Sequence, residues 1–286
     1  MPYATAKDGT RLYYKDWGSG RPVVLIHGWP LSGDSFDDAA VALAEHGFRA
    51  IVPDRRGFGR SDQPWDGYDY DTLADDLAAV ILEAGVNEPV ALAGFSMGGG
   101  EVARFITRHG AAQVSHAVLI GSVVPFLLKT DDNPKGAPRE VFDGMIEGIR
   151  KDRGDFFRTF FRSFFGEGKV SQAVLDDAWR QAMNAGLRPT LACVRAFSET
   201  DFRQDLKNFT MPTLVIHGVG DDTVPIALSA HETARAVPGS RLIEYDYGAH
   251  GIFASNKDEL IRDLVEFLKT GETSARAMYQ SNEPAY

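Results

Sequence analysis

Cysteine is nearly absent from this chain: Cys193 is the only one. No intrachain disulfide can form, which excludes the small disulfide-framed domains and fits a reducing compartment. One cysteine and seven scattered histidines leave no paired spacing for a zinc site. Runs of lysine and arginine are also missing, and 30 basic against 40 acidic residues give a formal net charge of −10. A nucleic-acid binder would carry a basic patch, so that class is set aside. The acidic balance offers anionic substrates no long-range attraction. No uncharged apolar run reaches the ~20 residues of a membrane span. The opening Met1-Pro2-Tyr3-Ala4 has neither the basic start nor the apolar stretch of a secretory signal. The expectation is a cytoplasmic protein with no membrane or nucleic-acid partner.

What the chain does have is length and rhythm. Its 286 residues, 44% hydrophobic and 24% charged, suit one α/β domain with an insertion. Arg11 to Trp17 reads as a strand closed by Gly18-Ser19-Gly20. Continuous apolar runs follow at Pro22–Ile26, Phe48–Val52, Val90–Ala93, Ala117–Ile120, Thr213–Ile216 and Arg241–Tyr245. Runs of this kind suit strands buried on both faces of a parallel sheet. Helical patterns lie between them. One follows Asp71, with Leu73, Leu77, Val80 and Ile81 on one face; another covers Met97–Thr107. A third covers Lys257–Leu268, with Asn256 as its expected N-cap and Gly271 just past its end. The alternation predicts a mostly parallel sheet with flanking helices.

The alternation stops between 125 and 210. That stretch holds helical spacings and no good strand: Phe156, Phe157, Phe160, Phe161, Phe164 and Phe165, then Leu175, Ala178, Trp179 and Ala182. The division expected is a core of 1–124 and 211–271, a helical cap of 125–210 inserted before the last two strands, and a polar tail of 272–286.

Gly94-Phe95-Ser96-Met97-Gly98 follows a strand and opens a helix. A serine on so sharp a turn has its Oγ lifted clear of the sheet, at a helix N-terminus that favours negative charge. Ser96 is therefore the candidate nucleophile. Acyl transfer needs two N–H donors for the developing oxyanion. Met97, following the serine, is one. Trp29, in the loop His27-Gly28-Trp29-Pro30 after the Pro22–Ile26 strand, is the other. Pro30 has no N–H, but its carbonyl can accept from water or peroxide.

In folds built on such an elbow the triad runs serine, acid, histidine. His217, His231 and His250 all follow Ser96 at a distance. His217 ends a strand and is expected to support the turn, and His231 falls in a helical pattern. His250 follows the last strand between small residues, so it is the candidate base. Asp221 and Asp222 both follow the Thr213–Ile216 strand, and spacing from Gly218 favours Asp221 as the acid. Asp54 precedes the serine and is expected to hold its own loop by ion pairing. The resulting chemistry is attack by Ser96, proton transfer through His250, and hydrolysis of an acyl-enzyme. It requires no metal and no organic cofactor.

These motifs carry a family resemblance over residues 5–270. Lys15-Asp16-Trp17-Gly18-Ser19-Gly20, His27-Gly28-Trp29-Pro30, Asp54-Arg55-Arg56-Gly57-Phe58-Gly59-Arg60-Ser61, Tyr68-Asp69-Tyr70-Asp71-Thr72 and Gly94 to Gly100 are its parts, with Asp132-Asn133-Pro134 and Pro138 to Phe142 in the cap. Together they resemble the cofactor-free haloperoxidase/perhydrolase group of α/β-hydrolases, which includes aryl esterases and a γ-lactamase. The resemblance implies hydrolysis of small acyl and aryl esters. It also implies perhydrolysis, in which hydrogen peroxide takes the acyl group and the peracid oxidises halide. It implies the triad roles for Ser96, Asp221 and His250, a substrate wall of Trp29, Phe126 and Phe160, and a homo-oligomer of three subunits or more. Val219 and Tyr247-Gly248-Ala249 depart from the group's usual residues beside the acid and the base. A small aromatic-walled pocket would favour short acyl groups. Two other functions use the same features: an amide or γ-lactam hydrolase, and a non-catalytic ligand-binding protein of the same fold.

Overall fold

The computed structural model describes residues 2–272. The tail expected from 272 onward lies, save its first residue, outside the described residues. One eight-stranded sheet is built from β1 (Tyr3–Thr5), β2 (Arg11–Gly18), β3 (Arg21–Ile26), β4 (Phe48–Pro53), β5 (Val90–Phe95), β6 (Val114–Ile120), β7 (Thr213–Gly218) and β8 (Arg241–Tyr245). Their order is β1-β2-β4-β3-β5-β6-β7-β8. The β1–β2 and β2–β4 pairs are antiparallel and every other pair is parallel. The apolar runs explain the centre. Val23, Val24, Leu25, Leu92 and Ala93 have no exposed surface, because helices cover both faces of their strands.

The helices are α1 (Asp37–Glu45), α2 (Tyr70–Glu83), α3 (Met97–His109), α4 (Arg139–Phe165), α5 (Gln172–Asn184), α6 (Leu187–Glu199), α7 (Ala230–Ala236), α8 (Ile252–Ser255) and α9 (Lys257–Thr270). Helix α2 begins earlier than its apolar face suggests, because Asp69 caps it by accepting from Thr72 N at 2.9 Å. Asn256 does occupy the N-cap of α9, yet its amide donates to Glu259 Oε2 at 2.7 Å instead of accepting a helix N–H. Gly271 closes that helix in the left-handed region, at φ +69°. Strand β1 and helix α1 had no clear sequence signal. Three residues are too few for periodicity, and α1 is largely alanine.

Between β6 and β7 come α4, α5 and α6, and no strand of the sheet. Helix α4 breaks at Asp152, whose backbone is extended (φ −157°, ψ 94°). Its Oδ1 accepts from Asp155 N at 3.0 Å, so it caps the second half, which carries the phenylalanines. Phe157, Phe161, Phe164 and Phe165 are buried and pack edge to face or stacked on one another.

Sheet order fixes where a site can lie. β3 pairs with β4 on one side and β5 on the other, so the chain's progress across the sheet reverses between β3 and β5. Loops leaving the C-terminal ends of two such strands diverge and leave a crevice. Ile26 is paired with Gly94, which brings His27-Gly28-Trp29 and Phe95-Ser96-Met97 out side by side.

Candidate active site

Ser96 stands between β5 and α3 with φ +53° and ψ −117°, the only described residue other than glycine at positive φ. Such a backbone costs about 1–3 kcal/mol and persists only where neighbours impose it. They do so here by proximity. A Cβ on Gly94 would collide with the Gly98 carbonyl, and one on Gly98 with the Ile26 carbonyl. Ser96 N donates to Ile120 O at 2.8 Å and Ser96 O accepts from Gly99 N at 3.0 Å, which holds both sides of the turn.

His250, in the loop between β8 and α8, places Nε2 2.8 Å from Ser96 Oγ. Its Nδ1 lies 2.6 Å from Asp221 Oδ2, in the loop after β7. Ser96, His250 and Asp221 are all buried. The His250 ring is walled by Phe95 and Phe164, with centroids 5.0 and 4.9 Å away. Asp222, the other candidate acid, is exposed and lines the cavity wall instead. Asp221 Oδ1 accepts from Thr223 N at 2.9 Å and Val224 N at 2.7 Å. Burial by itself would push the Asp221 carboxyl up. His250 and His217 beside it outweigh burial and hold it well below the usual carboxylate range.

The two departures from the expected pattern leave this geometry intact. Val219 and Tyr247 are both exposed. Around them Val219 N donates to Tyr245 O at 3.0 Å and Gly220 N to Gly248 O at 2.9 Å, tying the Asp221 loop to the His250 loop. His231 pairs with Glu244 at 2.9 Å, away from the serine. Asp54 does hold its loop by ion pairing, though with Arg60 (2.8 Å) and not with its neighbours Arg55 and Arg56. It also accepts from Gly33 N at 2.8 Å.

Among the described residues, no protein acceptor takes the backbone N–H of Trp29 or of Met97. The Trp29 loop is set from beneath. His27 accepts from Arg55 N at its Nε2 (2.9 Å) and donates from Nδ1 to Gly28 O (2.9 Å). Arg55 reaches the His27 carbonyl at 2.5 Å and Glu101 Oε1 at 2.6 Å, all buried. Glu101 lies on α3, just past the serine, so this network joins the Trp29 loop to the helix that Ser96 opens. Burial and then the Arg55 charge push the His27 imidazole well below its usual range, and it stays neutral. Burial raises the Glu101 carboxyl to about 7 against the pull of Arg55. One signal for Glu101 was in the sequence, a lone carboxylate in a glycine-rich, otherwise apolar first turn and a half. Its partner could not be read there.

A cavity of about 400 Å³ opens on Ser96 and His250. Trp29, Phe142, Phe160 and Phe197 line it, and so do Val123, Leu127, Met145, Val224 and Leu228, so its wall is as much aliphatic as aromatic. Phe126 does not line it. The Phe126 ring lies under the Arg203 guanidinium, 5.4 Å from its centroid, and the next residue, Leu127, takes the place in the wall. Adjacent residues in an extended segment point opposite ways, and sequence could not say which faced inward. Trp29 is fixed by its indole N–H, which donates to Thr190 O at 2.9 Å, and by Phe157, Phe160 and Phe197 around it. Among the described residues, Asp222 is the one carboxylate on the wall.

The alpha/beta hydrolase fold family matches residues 21–257. The chain is 43% identical to a non-heme chloroperoxidase of Kitasatospora aureofaciens, over 94% of this chain and 99% of that protein. It is 41% identical to a bifunctional esterase/perhydrolase of Acinetobacter calcoaceticus, over 94% of this chain and all of that one. Its structure is similar to that of a bromoperoxidase from Bacillus anthracis, with a TM-score of 0.89 and 43% identity over 94% of this chain and all of the other. With its sheet order, its serine elbow and these similarities agreeing, the chain belongs to the α/β-hydrolase fold family, within the group of non-heme haloperoxidases and perhydrolases.

Proposed function

We propose that this protein is a serine esterase acting on small uncharged aryl and alkyl esters, with perhydrolysis as a second activity. The observation that carries the reading is the relay Ser96 Oγ to His250 Nε2 (2.8 Å) and His250 Nδ1 to Asp221 Oδ2 (2.6 Å) at the floor of an apolar cavity. His250 takes the Ser96 proton as Oγ attacks the ester carbonyl. Asp221 keeps the hydrogen on Nδ1 and stabilises the imidazolium that forms. The Trp29 and Met97 N–H groups receive the oxyanion, which needs no reorganisation because both donors are already unpaired. His250 then gives its proton to the leaving alcohol, and an acyl-Ser96 ester remains. Water, deprotonated by His250, frees the acid. If hydrogen peroxide attacks instead, His250 takes its proton, the peroxide oxygen bonds to the acyl carbon, the acyl carbon–Oγ bond breaks as that proton passes to Ser96, and a peracid leaves. The similarity to an esterase/perhydrolase supports this second branch.

Residues 125–210 act in this reading as a cap over the serine, and the apolar wall they help to form takes the acyl or aryl group. Asp222 disfavours a carboxylate on the substrate. A homo-oligomer belongs to the reading too, and light scattering of the purified protein checks it. The deciding experiment is p-nitrophenyl acetate hydrolysis by wild type and Ser96→Ala, with folding checked by circular dichroism. A loss of several orders of magnitude, with loss of fluorophosphonate labelling, is expected. Labelling and turnover that survive in the variant sink the proposal. Peracid formation from an acetate ester and hydrogen peroxide, lost in the same variant, tests the second activity.

A further inference from the structure

His217 closes β7 and is fully buried. Its Nε2 lies 2.8 Å from the Val224 carbonyl and 3.2 Å from Asp221 Oδ2. Both neighbours are acceptors, so Nε2 carries a hydrogen, bonded to Val224 O with Asp221 Oδ2 beside it. The opposite nitrogen, Nδ1, is buried with no partner among the described residues. The arrangement matches a neutral ring with its hydrogen on Nε2. Asp221 is therefore faced by four N–H groups. Thr223 N and Val224 N meet Oδ1, while His250 Nδ1 and His217 Nε2 both meet Oδ2. One imidazole from the end of β7 and one from the loop after β8 converge on the one oxygen that faces the base.

We propose that His217 is a positioning residue for the relay, one that keeps Asp221 Oδ2 in line with His250 Nδ1 through the catalytic cycle. The inference rests on the reading of Asp221 as the acid. The two backbone donors pin Oδ1, but they leave the carboxylate able to rock about that end. Oδ2 would then be held by His250 alone, the ring that must give and take a proton and shift between Ser96 and the leaving group. A second donor keeps the oxygen in place while that ring moves. Its neutrality matters equally. A lysine or arginine at this point would hold Oδ2 as well, but its charge would oppose the imidazolium forming on His250 at the far side of the same carboxylate. A neutral N–H orients without that cost. The bond to Val224 O also ties the ring to the segment that supplies one of the backbone donors, so acid and loop are fixed as a unit.

The test compares His217→Met, which fills the volume without a donor, with His217→Gln, whose side-chain NH2 stands about where Nε2 does. kcat and KM for p-nitrophenyl acetate are measured on the full chain, per active site titrated with a fluorophosphonate. His217→Met should lose about 10-fold or more in kcat, the scale of a lost bond to a charged acceptor, with KM within about 2-fold. His217→Gln should recover most of it. Wild-type kcat in both variants overturns the proposal, as does an equal kcat loss in both. Asp221→Asn run alongside separates the two levels: full activity there refutes the acid assignment itself, whereas an inactive Asp221→Asn beside a fully active His217→Met refutes only the role of His217. Should the variants fail to fold, 15N shifts of His217 in the wild-type protein at pH 7 decide, since a hydrogen on Nδ1 would contradict the geometry argued here.

Discussion

Asp221→Asn is the substitution whose outcome the structure fixes most tightly. The asparagine oxygen will stay with Thr223 N and Val224 N, 2.9 and 2.7 Å away, because turning the amide would set an NH2 against both donors. The NH2 then replaces Oδ2 and points at His250 Nδ1 and His217 Nε2, each of which now carries a hydrogen. His250 can accept from it only by moving its own hydrogen to Nε2. There it faces Ser96 Oγ across 2.8 Å and can no longer take the serine's proton. A wrong tautomer of this kind costs about 10⁴ in kcat in serine hydrolases with such a relay, or ~5.5 kcal/mol at 1.36 per decade. The assay is kcat on p-nitrophenyl acetate with the fold verified by circular dichroism. Asp222→Asn, one residue on, should lose less than tenfold. An Asp221→Asn enzyme within tenfold of wild type would refute the reasoning, as would a larger loss at Asp222.

The other predictions concern the pocket and the buried network. Asp222, a carboxylate on the cavity wall, should make a p-nitrophenyl half-ester of glutaric acid a poorer substrate than p-nitrophenyl valerate. Asp222→Asn should raise the ratio of the two kcat/KM values several-fold, and an unchanged ratio would acquit Asp222. Glu101→Leu leaves the Arg55 guanidinium buried without its carboxylate and should cost about 3–5 kcal/mol, read as a lowered Tm. The Glu101 carboxyl is raised to about 7 in the folded chain, against ~4.3 unfolded. Its contribution is therefore complete below about pH 4.3 and is lost as pH rises through 7. Urea titrations across that window should show a falling component that Glu101→Gln removes, and an identical slope in the variant would contradict the assignment. Leu127→Trp should narrow the cavity and depress kcat/KM for long acyl esters more than for acetate, while Phe126→Leu should do neither, since its ring faces Arg203.

Much of this was already legible in the order of residues. Continuous apolar runs marked the central strands, because a strand covered on both faces has no reason to alternate. The elbow at Gly94–Gly98 was legible because its backbone admits so few residue types, and Ser96, Asp221 and His250 followed from strand ends and chain order. Those are local or one-dimensional constraints, and a sequence records them directly. Contacts between distant segments are another matter. Whether Phe126 or Leu127 faces the serine depends on how the chain leaves β6, and the sequence allows either. Arg55 meeting Glu101 under the Trp29 loop, and His217 meeting Asp221 beside His250, depend on β3, β4, β5, β7 and β8 lying in one sheet in a particular order. Charge and burial at such points are set by what the fold brings within 3 Å, and the tertiary structure alone decides that.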